Sequence, residues 1–183
     1  MPATITANEQ KFKELIIYVA SKCQTDASFG AIKLNKILFH ADFLAYGSLG
    51  TPITGMEYMK LEHGPAPRLL APIRADMQKD HDIVVVNATR FGFQQDRVVP
   101  LREPNLSLFS AEEIALVDSA IQSFWGVTAT DLSEVTHGYR GWLMANRLKE
   151  IIPYQAVFLS DEPPTAYEIQ HAHELIREHE WDL

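Results

Sequence analysis

The stretch Ile32-Lys33-Leu34-Asn35-Lys36-Ile37-Leu38-Phe39-His40-Ala41-Asp42-Phe43-Leu44-Ala45-Tyr46 decides how the chain folds. Leu34, Ile37, Leu38, Ala41 and Ala45 recur at helical spacing and form one apolar face, while Phe39, Phe43 and Tyr46 form a second. Lys33, Lys36 and His40 are left as a narrow polar wedge between the two. A helix that is apolar on two sides packs on two sides, so this one is expected at the centre of the fold. Gly47 is expected to end it as a left-handed cap. Lys33 and Lys36, one turn apart, read as a solvated face or as ion-pair partners within the chain.

Upstream, Phe12, Leu15, Ile16, Val19 and Cys23 lie on one stripe of a helix over about 8–21, which makes Cys23 a small buried apolar residue. Downstream, Gly47 to Gly55 reads as a loop and Met56 to Glu62 as a short strand. His63-Gly-Pro-Ala-Pro67 breaks that strand, and Pro65 and Pro67 are expected to set the entry to a third helix over about 67–79. Ile83–Val86 and Arg97–Pro100 are β-branched runs that suggest a small antiparallel sheet. Ser110-Ala-Glu-Glu113 is a capping box that opens a helix ending near Gly126. A short helix is expected to open at Thr130 or Asp131 and run through Val135. A last one starts at Thr165 with a second capping box, Thr165 to Glu168. The fold class is α+β: a mainly helical single domain with a small antiparallel β-sheet. The core spans 1–160, with Leu159 to Pro164 as linker and 161–183 as a C-terminal helix and tail packed on or extending it.

Sixteen Lys and Arg stand against 24 Asp and Glu, a net charge of −8. Duplex DNA carries about one negative charge per 1.7 Å of axis, so nucleic acid is a poor partner for so acidic a chain. Anionic membrane surfaces are disfavoured for the same reason, and no apolar run approaches the length of a membrane span. One cysteine allows no disulfide within the chain, and the first residues lack the pattern of a signal peptide, so a cytoplasmic location is expected.

The phosphate loop, dinucleotide, nucleophile-elbow and zinc-protease motifs are all missing from the sequence. His171 and His173 lie on opposite sides of a helix and cannot share a metal. His40, His63 and His137 could act as a metal or acid/base cluster of a hydrolase only if the fold converged them. Glu112 and Glu113 suit a helix N-terminus, where carboxylates stabilise the dipole by ~0.3–1 kcal/mol. Nothing specifies catalysis, and no cofactor is expected.

Five separated motifs nevertheless occur in order: Lys33-Leu-Asn-Lys36-Ile-Leu-Phe39-His-Ala-Asp42; Gly50-Thr-Pro-Ile-Thr54-Gly55-Met-Glu57-Tyr58; His63-Gly64-Pro65-Ala-Pro67; Leu132-Ser-Glu134-Val-Thr136-His137 with Trp142; and Ile152-Pro153. In that order and spacing, over roughly 10–160, they resemble the Panacea domain, formerly a domain of unknown function, which includes the SocA-type antitoxins. The resemblance implies a non-enzymatic antitoxin of a toxin–antitoxin pair, of use in phage defence, that binds a cognate protein toxin. The SocA type also presents its toxin to an ATP-dependent protease. On physical grounds Lys33, Lys36, Asp42, Thr54, Gly55, Gly64, Pro65, Thr136 and His137 are expected to be mainly scaffold. Gly55 and Gly64 suit backbone that a β-carbon would hinder, and Thr136 and His137 suit the satisfaction of backbone groups at a helix end. Tyr139, Arg140, Trp142 and Tyr154 are the candidate partner-binding residues, since Tyr, Arg and Trp dominate binding hot spots. Tyr139 and Arg140 are expected in a loop between His137 and Trp142.

Overall fold

Asn8 accepts a hydrogen bond from the Lys11 amide at 2.9 Å and so starts α1 (Glu9–Lys22). The computed structural model containing this helix describes residues 5–90, 93–159, 162 and 165–178. Every residue from Glu14 to Ala20 is buried, and Cys23 continues the stripe in the core. α1 is therefore packed on more than one side.

After a turn around Asp26, Gly30 leads into α2 (Ala31–Leu49), which packs against α1 and several of the later elements. Both of its apolar faces are covered: Leu34, Ile37, Leu38, Ala41 and Ala45 are buried, as are Phe39 and Phe43. The helix does not stop at Gly47. It runs one turn further, to a left-handed cap at Gly50 (φ 76°). Gly47 serves packing instead, because a β-carbon there would lie 3.2 Å from Val157 Cγ2. The polar wedge is also not solvated, since Lys33 and Lys36 are each only 1% exposed.

Two small antiparallel sheets flank the helices. In the first, β1 (Tyr58–Leu61) lies between β2 (Gly64–Pro67) and β5 (Ile151–Ile152). The Pro65–Pro67 run is thus a strand and not the entry to a helix. It pairs Pro65 with Lys60, Ala66 with Met59 and Pro67 with Tyr58. Prolines at alternate positions lack their N–H on the same side, which an edge strand tolerates on its outer side. α3 (Leu70–Lys79) begins three residues later than the prolines suggested. The second sheet is the hairpin β3 (Ile83–Arg90) and β4 (Phe93–Pro100), in register from Ile83–Pro100 to Arg90–Phe93. Arg97 ties it to the turn before α2 by donating to the carbonyls of Asp26 at 3.0 Å and Gln24 at 3.1 Å.

α4 (Ala111–Ser123) carries the expected capping box: Ser110 Oγ accepts from the Glu113 amide, and the Glu113 carboxylate accepts from the Ser110 amide. α5 (Ala129–His137) starts at Thr128, slightly ahead of the expected position. Arg140 and Trp142 lie in a short helix, α6 (Arg140–Met144), where a loop was expected, and Tyr139 precedes its first turn. Close packing shapes this element, for a β-carbon on Gly141 would come within 2.7 Å of both Ala156 Cβ and Ile152 Cγ2. A 3-10 helix (Tyr154–Phe158) follows β5, and α7 (Ala166–Glu178) is the last element. The expected boundary between 160 and 161, most of the linker, the Glu168 half of the second capping box and the final residues 179–183 lie outside the described residues. The architecture is mainly helical α+β.

The double burial of α2 sets the stability expected of its variants. Leu38→Ala should cost about 2–5 kcal/mol and Phe39→Ala about 3–5 kcal/mol in denaturant unfolding. A parent-like midpoint for either would contradict packing on that face. Cys23 is enclosed, and burial pushes its thiol up to about 12. Alkylation by iodoacetamide should therefore require unfolding, while Cys23→Ala should keep activity and cost roughly 1 kcal/mol.

Candidate functional site

The polar side chains of α2 are each held by a different segment. Lys33 Nζ lies 2.7 Å from Asp26 Oδ2, both groups being almost wholly enclosed. The other Asp26 oxygen accepts from the Ser28 amide at 2.9 Å, which shapes the turn before α2. Asp42 is fully buried; it accepts from the Thr54 amide at 2.7 Å, the Thr54 hydroxyl at 2.5 Å and the Tyr58 hydroxyl at 2.8 Å. Burial pushes the Asp42 carboxyl above the usual carboxylate range, against those hydrogen bonds, which pull it down. Gly55 follows at φ 69°, and a β-carbon there would strike the Thr6 carbonyl.

Lys36 has no carboxylate partner of this kind. Its ammonium donates to the carbonyl of His63 and, at 3.5 Å, to that of Pro65, both in the β1–β2 turn and strand. Desolvation alone pulls its pKa down to about 8. The same turn is gripped from two other elements. His137, at the end of α5, places Nε2 3.0 Å from the Glu62 carbonyl. Trp142, in α6, donates from Nε1 to the Leu61 carbonyl at 3.1 Å. Three successive carbonyls, those of Leu61, Glu62 and His63, are thus held by Trp142, His137 and Lys36. Gly64 (φ 97°) lets this happen, because a β-carbon there would collide with the Lys36 amine and the Thr136 hydroxyl. Thr136 itself turns back to donate to the Leu132 carbonyl at 2.8 Å. The Trp142 indole lies between the His137 ring, stacked at 4.3 Å, and the Lys60 ammonium, 4.1 Å from its centroid.

The four candidate contact residues divide. Tyr154 is buried, its ring 4.6 Å from Phe43 and its hydroxyl donating to the Met56 carbonyl at 2.6 Å. Tyr139 sets its ring edge-on to Phe39 at 5.0 Å and to Phe43 at 5.8 Å. Both pack on the aromatic face of α2; Tyr154 is enclosed there, while Tyr139 keeps part of its surface exposed. Arg140 and Trp142 are partly exposed. His40 packs on Phe124 at 5.1 Å, while His63 sits on the exposed turn and His137 on the Glu62 carbonyl. Among the described residues no group of three or more His, Cys, Asp or Glu side chains could hold a metal ion. His40, His63 and His137 therefore do not form a metal-holding group.

Several structural partners were not singled out from the sequence: Asp26, Lys60, and the pair Glu14–Arg102. Arg102 donates to the two Glu14 oxygens at 2.7 and 2.8 Å and, with the Asn105 amide, holds that carboxyl below the usual range. A charged residue inside the apolar stripe of α1 was the only signal for Glu14. The apolar side chains Met144, Ile151, Phe158 and Leu159 were also unremarked, and all four are exposed.

Residues 34–143 match the family described as Antitoxin SocA-like, Panacea domain. The chain belongs to that antitoxin family. No curated protein and no solved structure matches it. No helix among the described residues is long and apolar enough to cross a membrane.

The Lys36 site has a pH signature. Its amine is protonated in both folded and unfolded chains below pH 8, so the cost of burying the charge is constant there. Between about pH 8 and 10.5 the unfolded chain binds the proton and the folded one does not, so stability rises with pH. Relative to Lys36→Met, the parent should gain on the order of 3 kcal/mol across that window. Urea unfolding at stepped pH measures this, and a constant gap would mean the amine keeps its proton in the fold.

Proposed function

We propose that the protein is an antitoxin that neutralises a cognate protein toxin by direct, stoichiometric binding, and that it can present the bound toxin to an ATP-dependent protease. Membership of the SocA-like family carries this reading. It is supported by the employment of the motif side chains. Lys33, Lys36, Asp42, Thr54, Thr136, His137 and Trp142 all spend their polar groups within the chain, on its backbone, on Asp26 and Tyr58, or on each other. Such a motif set specifies a rigid platform, on which the partner surface is formed by other residues. Arg140 and the exposed part of Trp142 belong to that surface in this reading. The domain division places the platform in 1–160, with 161–183 as an appended helix and tail. The excess of acidic residues favours a basic toxin surface and faster association at low salt.

The test is to co-express the chain with the toxin encoded beside it and vary the ratio of the two. Binding predicts rescue only when this chain at least matches the toxin, with co-elution on a sizing column and about 1,200–2,000 Å² buried in the complex. Rescue at a small fraction of the toxin level would mean turnover. If that rescue disappears in a protease-deficient host, the chain delivers the toxin for degradation. If it persists there, the chain acts as an enzyme and the binding reading fails.

A further inference from the structure

The first sheet is closed on one side and open on the other. Lys60 donates to the Glu150 carbonyl at 2.9 Å, and the Lys149 amide donates to the Lys60 carbonyl at 2.8 Å. Tyr58 pairs with Ile152 and Met59 with Ile151. Backbone groups alternate along an antiparallel strand, so the Glu150 carbonyl and the polar groups of Ile152 turn toward β1 while Ile151 turns its N–H and C=O away; the Glu150 N–H is taken by the Arg147 carbonyl. The prolines fit the same phase, because they require Met59 to bond to Ala66 in β2 and not to Ile151. Among the described residues β5 is the sheet edge, with no strand on its outer side. The run of free groups is short. Lys149 (φ 69°) distorts the chain before it, and the Pro153 carbonyl beyond it is taken by the Ala156 amide.

Beside this edge lies a groove of about 360 Å³ between α6, β5 and the 3-10 helix Tyr154–Phe158. Its walls are mainly apolar and include Met144, Ala145, Ile151, Ala156 and Leu159. Met144 is 63% exposed, and Phe158, next to the groove, is 65% exposed. Apolar side chains gathered at a strand edge with a free donor and acceptor match the requirements of an added strand: main-chain bonds for affinity, pockets for alternate side chains.

We propose that the outer edge of β5 at Ile151, with the apolar groove beside it, receives an extended segment of the toxin as a fourth strand. This rests on the toxin-binding reading and names its contact surface. One residue of the segment exchanges both main-chain hydrogen bonds with Ile151, and its apolar neighbours enter the groove between Met144 and Leu159. Arg147 and Lys149, both exposed just before the edge, select a segment flanked by aspartate or glutamate over a basic one. A second copy of this chain is less suited, since it would bring the same basic pair, Arg147 and Lys149, to the edge.

Ile151→Pro removes the outward N–H while leaving the pairing of residues 150 and 152 with β1 in place. Met144→Glu puts a charge in the groove at a position with little packing to lose. Trp125→Ala, at an exposed aromatic in the turn after α4, is the control. Each is titrated against the toxin encoded beside this chain, with thermal melts as a check on folding. Both groove variants should weaken binding by about 30-fold or more with parent-like melting, and Trp125→Ala should bind like the parent. Should Ile151→Pro melt early, Met144→Glu decides alone. Parent-like affinity in a folded Met144→Glu overturns the groove but leaves toxin binding standing. A parent that binds no toxin sinks the functional reading and this inference with it. A parent that is dimeric alone, and becomes monomeric on Ile151→Pro, would assign the edge to a second copy and overturn the proposal.

Discussion

Burying three charged side chains on one helix is the constraint around which this molecule is organised. Lys33, Lys36 and Asp42 are all enclosed on α2, and an isolated ion in such a place costs several kcal/mol unless its bonding capacity is met. Each is met from a different part of the chain. The turn before α2 gives Asp26 to Lys33, the loop after it and the start of β1 give Thr54 and Tyr58 to Asp42, and the β1–β2 hairpin gives its carbonyls to Lys36. Moving any of these segments strands a charge. The apolar faces of α2 supply most of the driving force, but they would tolerate a range of packings. The polar wedge supplies the register.

The same logic explains why the family motifs cluster as they do. Lys36, Gly64, Thr136, His137 and Trp142 are far apart in sequence, and they meet around one short turn. The acceptors of the clasp are main-chain carbonyls, which every residue carries. The clasp depends on its donors and on the glycine that admits them, Gly64.

Periodicity made the helical framework legible. The stripe Phe12 to Cys23, the two faces of α2 and the capping box at Ser110 are all local signals, and each appears in the fold. What local signals miss is pairing at a distance. Pro65 and Pro67 look like helix-entry residues until β1 is placed beside them, because a strand that contains prolines is viable only in one register at an edge. The two-residue β5 and the five-residue α6 are too short to show a period. Of the site, the motif residues could be named but not their donor roles: Lys36 read as solvated or ion-paired and Trp142 as a contact residue, and the burial of Tyr154 could not be read. An aromatic in an irregular stretch has no periodicity to say which way it faces, and the rings of Phe39 and Phe43 decide it.

The clasp also bears on when the fold is completed during synthesis. Its cation lies at residue 36, its carbonyls at 61–63 and its last two donors at 137 and 142. The hairpin can form early, because its strands are adjacent and Lys36 precedes it, but its grip by His137 and Trp142 waits for about seventy further residues. Closing contacts of that span requires loop entropy to be lost before any bond rewards it. β5 and the groove come later still, since β1 has no partner on that side until residues 151–152 arrive. A nascent chain therefore carries a nearly finished core well before it carries a finished surface, and a product truncated before residue 151 lacks the third strand of that sheet whatever its helices achieve.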